Sequence, residues 1–224
     1  MIERLVDIFN KTDMFEGILE TIYMVGASTI IAYLLGLPLG ILVVVTDKSG
    51  IKSNKIINCT LGTIINLFRS IPFIILLVLI IPFTRLIIGT SIGSTAMIVP
   101  LTLAATTFVA RLVETSLREV DKAVIEQALC MGARPIDIVL KIYVVEATPG
   151  LIRGLSITCI NLVGYSAMAG TVAGGGLGDI AIRFGYYKYD YIIMLLTVVI
   201  LVVIVQLIQI IFDRIAKKID KRII

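Results

Sequence analysis

The sequence predicts an all-α membrane protein: five transmembrane helices, with a cytoplasmic segment of two short helices between the third and the fourth. Three observations lead there. The 224 residues are 58% apolar and only 16% charged, with a mean hydropathy of +1.03, whereas soluble globular chains are about a quarter charged. Charge-free runs as long as a bilayer is thick recur along the chain, since about 20 residues rising about 1.5 Å each cross a hydrocarbon core of about 30 Å. The basic residues, finally, gather in alternate connections, as membrane insertion requires.

Taken in order, the first span is placed at residues 17–46, because Thr21–Thr46 contains 26 residues without a charge. That run is too long for a signal-peptide core and lacks a small-residue cleavage pattern, so it is read as a retained span. The second, 56–84, is apolar throughout except for Arg69. The third, 86–117, begins with 25 uncharged residues, Leu86–Ala110. A segment of different composition at 121–141 follows, too short and too charged to cross. The fourth span, 142–168, overlaps the uncharged run Gly154–Gly178, and the fifth, 190–214, contains the 22 uncharged residues Tyr191–Phe212. All belong to one domain covering 1–224. Five crossings put the termini on opposite sides. Lys48–Lys55, Arg111–Lys141 and Arg214–Arg222 hold thirteen basic residues, against five on the other side, with Arg69 and Arg153 near span ends. The positive-inside rule then sets the N-terminus outside and the C-terminus in the cytoplasm.

Several function classes fall away. The chain has no histidine and no tryptophan, which removes Ser-His-Asp triads and histidine metal sites. Cys59, Cys130 and Cys159 are far apart in sequence and form no CxxC, so neither a disulfide scaffold nor a metal site is indicated. No Gly-Lys dipeptide occurs, so there is no phosphate-binding loop. The basic residues flank lipid spans, and the net charge of +4 therefore needs no nucleic-acid partner. Pro38, Pro72, Pro82 and Pro100 fall inside or at the ends of apolar spans, either as kinks of a moving protein or as packing adjustments. Arg69 stands about 13 residues into its span. A central arginine costs about 2.5–3.5 kcal/mol on insertion scales, so it is expected to face protein or water, in a structural role bonded to carbonyls.

The cytoplasmic segment carries its own signals. Asp121 suits a helix N-cap, Gly132 a terminator and Pro135 the first turn of a second helix. Val124, Ile125, Ala128 and Leu129 recur at helical spacing as an apolar stripe that must dock onto something. Glu126-Gln-Ala-Leu-Cys-Met-Gly132, with Ile142 ten residues beyond, resembles the EAA signature of bacterial ABC-importer permeases. The likeness extends from about Gly17 onward and is nearer still to the permease subunits of methionine importers. It runs through Asn66-Leu-Phe-Arg-Ser-Ile-Pro72, Ile81-Pro-Phe-Thr-Arg85, Gly89-Thr-Ser-Ile-Gly93, Leu162-Val-Gly-Tyr-Ser-Ala-Met168 and Gly175-Gly-Leu-Gly178. Gln127 departs from the usual alanine, and Val144-Val145 from the usual Leu-Pro.

The resemblance implies the permease core of a type I ABC importer, working by alternating access as a homodimer in a bacterial cell membrane. Glu126, Gln127, Ala128 and Gly132 would belong to the coupling helix seated on a separate ATP-binding cassette ATPase. ATP and Mg would bind that partner, with no cofactor and no catalysis in this chain. An extracytoplasmic methionine-binding protein or lipoprotein would deliver D- or L-methionine. Asn161, Tyr165, Ser166 and Met168 interrupt the apolar fourth span. A thioether near a hydroxyl and an amide suits an amino acid with an apolar, sulfur-bearing side chain, so these residues are candidates for the substrate pathway or, alternatively, for gluing helices at a dimer interface. Another small amino acid as cargo is the near alternative; an autonomous channel or secondary carrier is the distant one, and would call for inverted repeats and midplane ion ligands. Gly176-Leu-Gly-Asp179 and Tyr189-Asp190 imitate intramembrane aspartyl-protease motifs, but both lie in one external connection and in reversed order.

Overall fold

The computed structural model describes residues 12–220. The charged start of the chain, with Arg4 and Lys11, and the basic residues Lys221 and Arg222 lie outside the described residues. The chain folds into α1 (Met14–Val45), α2 (Lys55–Ser70), α3 (Phe73–Leu79), α4 (Ile81–Ile88), α5 (Ser94–Arg118), α6 (Lys122–Cys130), α7 (Pro135–Ile138), α8 (Val144–Ala169), α9 (Gly176–Ile180) and α10 (Tyr191–Ile219). A π-helical turn, Val139–Tyr143, joins α7 to α8, so that 135–172 runs on as one long helical stretch. Four stretches are long and apolar enough to cross a membrane by themselves: α1, α5, 135–172 and α10.

The fifth crossing differs from the straight span expected at 56–84. It is broken, with α2 and α3 meeting at 101°. The reason is Pro72, which offers no N–H and biases the residue before it away from helix; Ile71 is accordingly extended. A second proline, Pro82, opens α4. Residues 86–88 therefore finish α4, and the next span starts only at Ser94. Pro38 and Pro100, by contrast, sit inside unbroken helices. Polar side chains start the helices on the basic side: Asn54 accepts the amides of Ile56 and Ile57, and Asn58 of α2 donates to the Val43 carbonyl at the end of α1.

The core is built on α1 and α5, which run parallel. Met24, Ser28, Ala32, Gly36 and Gly40 recur every four residues on the buried face of α1. A Cβ on Gly36 would fall 2.8 Å from the Thr106 carbonyl oxygen and Val109 Cβ, and one on Gly40 2.6 Å from the Ala110 oxygen and Val113 Cβ. Only glycine lets the two backbones approach so closely, which is how helices gain van der Waals contact in lipid. Helix α8 crosses α1 in the opposite direction: Tyr33 donates to the Leu151 carbonyl at 3.1 Å, and Thr29 Oγ1 meets Cys159 Sγ at 3.5 Å. Arg118 at the end of α5 pairs with Asp47 just past α1, and Arg153 of α8 with Asp220 just past α10. These pairs place the ends of α1, α5 and α10 and the start of α8 at one basic end of the bundle. At the opposite end Glu20 and Thr21 of α1 accept the backbone amides of Gly176 and Leu177 at 2.6 and 2.9 Å, pinning the connection between α8 and α10.

Candidate coupling surface and translocation face

At the basic end, α6 is closed by its own sequence at both ends. Asp121 accepts the Ala123 amide at 2.9 Å. At the other end the amides of Gly132 and Ala133 donate to the carbonyls of Leu129 and Ala128, each at 3.0 Å. This paired arrangement needs a left-handed residue after the helix, and Gly132 supplies it with φ of 78°. Pro135 then starts α7. The apolar stripe is only partly used: Ile125 is buried and Ala128 packs against the core, whereas Val124 and Leu129 stay exposed. The stripe expected to dock as a whole therefore divides, because only Ile125 and Ala128 of its four members pack against the core. Glu126, Gln127, Cys130 and Met131 form an open shelf on α6, with Met131 87% exposed. An exposed methionine and leucine beside a carboxylate and an amide are the composition of a docking surface.

Beneath α6 lies a cavity of about 450 Å³. Arg118, Asp47, Lys122, Glu126 and Tyr143 line it together with Ile125 and Leu129. A charge network centred on one buried carboxylate stands behind its wall. Glu114 of α5, 5% exposed, accepts from Arg111 with one carboxylate oxygen and from Arg118 with the other, the latter at 3.0 to 3.1 Å. Arg118 reaches on to Asp47 at 2.9 Å, and Arg111 to the Asn66 amide oxygen of α2 at 2.7 Å. Sequence reasoning passed over Glu114, although the spacing Arg111, Glu114, Arg118 already puts three alternating charges on one helix face.

In α8, Asn161, Gly164 and Met168 share one face with Ile157. Met168 is 47% exposed and Asn161 is half-buried. Tyr165 sits at the edge of that face, its ring stacked on Phe73 of α3 with centroids 4.5 Å apart and planes 7° apart. Ser166 does not join them. Its side chain is buried on the opposite face and donates to the Val163 carbonyl at 2.8 Å, because a hydroxyl in an apolar helix satisfies itself on its own backbone. Arg69 is exposed near the end of α2 and, among the described residues, has no hydrogen bond or ion pair; the carbonyl contact expected of it is not made within the single chain. The two protease-like aspartates are occupied structurally, Asp179 paired with Arg183 at 3.1 Å and Asp190 capping α10. Among the described residues no group of three or more His, Cys, Asp or Glu could hold a metal.

Comparison with known proteins decides the family. Residues 36–224 match the family described as "Binding-protein-dependent transport system inner membrane component". The chain belongs to that family. Among its relatives, the probable D-methionine transport system permease protein MetI of Vibrio cholerae is 49% identical over 203 residues, covering 91% of this chain and 90% of the relative. The methionine import system permease protein MetP of Bacillus subtilis is 40% identical over 222 residues, 99% of this chain and 100% of the relative. A solved structure of the MetNI methionine ABC transporter in an inward-facing conformation superposes with a TM-score of 0.92 at 47% identity, covering 93% of this chain and 96% of that one. This inner membrane component thus shares one fold with that solved transporter over nearly its whole length.

Proposed function

We propose that the chain is the transmembrane permease subunit of an ATP-driven importer for methionine, in the D form, the L form or both. Two copies pair about a twofold axis, since five crossings are few for lining and gating a pathway and a C2 pair is the commonest closed assembly. The basic end faces the cytoplasm and receives one ATP-binding cassette ATPase per copy. The opposite end, where Glu20 and Thr21 hold the α8 to α10 connection, receives an extracytoplasmic methionine-binding protein. ATP and Mg bind in the ATPase; this chain supplies the path and the contact that drives it.

The observation that carries the reading is α6, an exposed helix capped at both ends and tied into the bundle at Ile125. Glu126, Gln127 and Gly132 form its coupling surface, with Ala128 seating the helix on the bundle behind them, and movement of α6 on ATP-driven closure of the ATPases switches the bundle between inward- and outward-open forms. Asn161, Tyr165 and Met168 line the path on the exposed face of α8. Coexpression with an ATP-binding cassette ATPase and a methionine-binding protein, followed by purification and reconstitution, tests the proposal. The chain should copurify with the ATPase and support methionine uptake that requires ATP. Failure to copurify would remove the importer reading, and uptake of another amino acid in place of methionine would keep the coupling and change the cargo.

A further inference from the structure

The charge network at the basic end links two parts of the molecule that the sequence holds apart. Helix α6 starts at Lys122, four residues after Arg118, and a cavity of about 450 Å³ separates much of it from the ends of α1 and α5. Besides the packing of Ile125 and Ala128 against the core, a push on α6 has a second route. It passes through Val120 and Asp121 to the end of α5, where Arg118 is held at once by Glu114 and by Asp47. From Glu114 the bonds continue through Arg111 to Asn66 on α2. Asn66 lies one turn before the last residue of α2, Ser70, and its own carbonyl accepts from the Ser70 hydroxyl at 2.8 Å. Past the break, Phe73 stacks on Tyr165 of α8.

We infer that the chain of contacts Asp47, Arg118, Glu114, Arg111, Asn66 is the linkage by which displacement of α6 reaches the bend between α2 and α3, with Glu114 as its positioning residue. The chemistry suits the task. Two arginines and two carboxylates balance in charge, and the single buried carboxylate is shared by both guanidinium groups. An ion-pair cluster around a buried carboxylate adds little net stability but fixes geometry, and removing that central charge uncouples the two arginines from each other. At the bend the helix is already broken through 101°, so it can change angle without breaking backbone hydrogen bonds. The inference rests on the reading of α6 as the ATPase contact.

The test uses the reconstituted complex of this chain, its ATPase and the methionine-binding protein, and measures methionine imported per ATP hydrolysed. Glu114→Gln keeps the shape and removes the charge. Asn66 is exposed, so Asn66→Ala cuts only the arm to α2 and leaves folding intact even where Glu114→Gln does not accumulate. Both variants should still copurify with the ATPase and hydrolyse ATP, while the import-to-hydrolysis ratio falls by about fivefold or more, the lower range of coupling between distinct sites. The double variant should be no worse than Glu114→Gln, because contacts in series are interrupted once. An unchanged ratio in the single variants overturns the inference, as does a fall in import and hydrolysis together with loss of assembly in both, which is a purely structural role. If the unmodified chain never binds the ATPase, the functional reading fails instead.

Discussion

Helices α5 and α10 are both long enough to span a bilayer, yet they live in different surroundings. The spanning window of α5 is 61% buried inside the chain, that of α10 only 11%, although α10 is the more apolar of the two. In water the order would be reversed. In lipid, association gains little from the hydrophobic effect, so interior faces are chosen for small size and hydrogen-bonding capacity. Accordingly α5 buries Ala105, Thr106, Ala110 and Glu114 against α1 and its neighbours, whereas α10 turns Leu195, Val199, Val203 and Leu207 outward. Helices α1 and α5 form a close-packed pair, and α10 is the outer face.

The comparison is broken most severely at Gly40. In Gly40→Leu the new side chain starts 2.6 Å from the Ala110 carbonyl and Val113, so α1 and α5 must part. Overpacking of this kind costs about 1–3 kcal/mol or more, and thermal unfolding in detergent should show a marked loss, while Gly26→Ala, with nothing within 4 Å, leaves the transition in place. Gly132→Ala is expected to be smaller and local. A left-handed alanine costs about 1–2 kcal/mol, spent on the end of α6 rather than on the α1 and α5 pair, so ATPase binding should weaken with little change in bundle stability. Met168→Ala should lower methionine uptake several-fold with the complex intact; if neither uptake nor the ATPase rate moves, α8 does not line the path at this point. The smallest effect belongs to α10. Val203→Ala should fall within about 0.5 kcal/mol of the parent, as exposed sites do, and a larger loss of stability in the assembled complex would show that protein, not lipid, covers this face.

Much of the fold was legible in the sequence because lipid imposes a length and a composition on every crossing. The run Tyr191–Phe212 lies within α10, and Thr21–Thr46 follows α1 to its C-cap at Thr46. Asp121, Gly132 and Pro135 announced the ends of α6 and the start of α7, since capping is local chemistry that depends on neighbours in the chain. The 56–84 stretch was less legible. Hydropathy registers only that residues are apolar, and is blind to the 101° turn at Pro72. For the functional faces, Asn161, Tyr165 and Met168 could be grouped by helical spacing, whereas Ser166, about 100° beyond Tyr165 around the helix, turns to the opposite side of α8. Glu114 went unnoticed. The groups that its two arginines reach, Asp47 through Arg118 and Asn66 through Arg111, are 67 and 48 positions away from it, and nothing local marks them as neighbours.

By itself, then, the sequence determined that the chain lives in a membrane, how many apolar stretches it has and where its short helices begin and end. Those features follow from solvent and backbone, which act residue by residue. Only the tertiary structure decided which face of each helix is interior, that Gly36 and Gly40 meet Val109 and Val113, that the second crossing bends, and that five side chains from three parts of the chain share one charge network at the basic end. Such choices depend on shape and distance between segments remote in sequence, and no window of consecutive residues contains them.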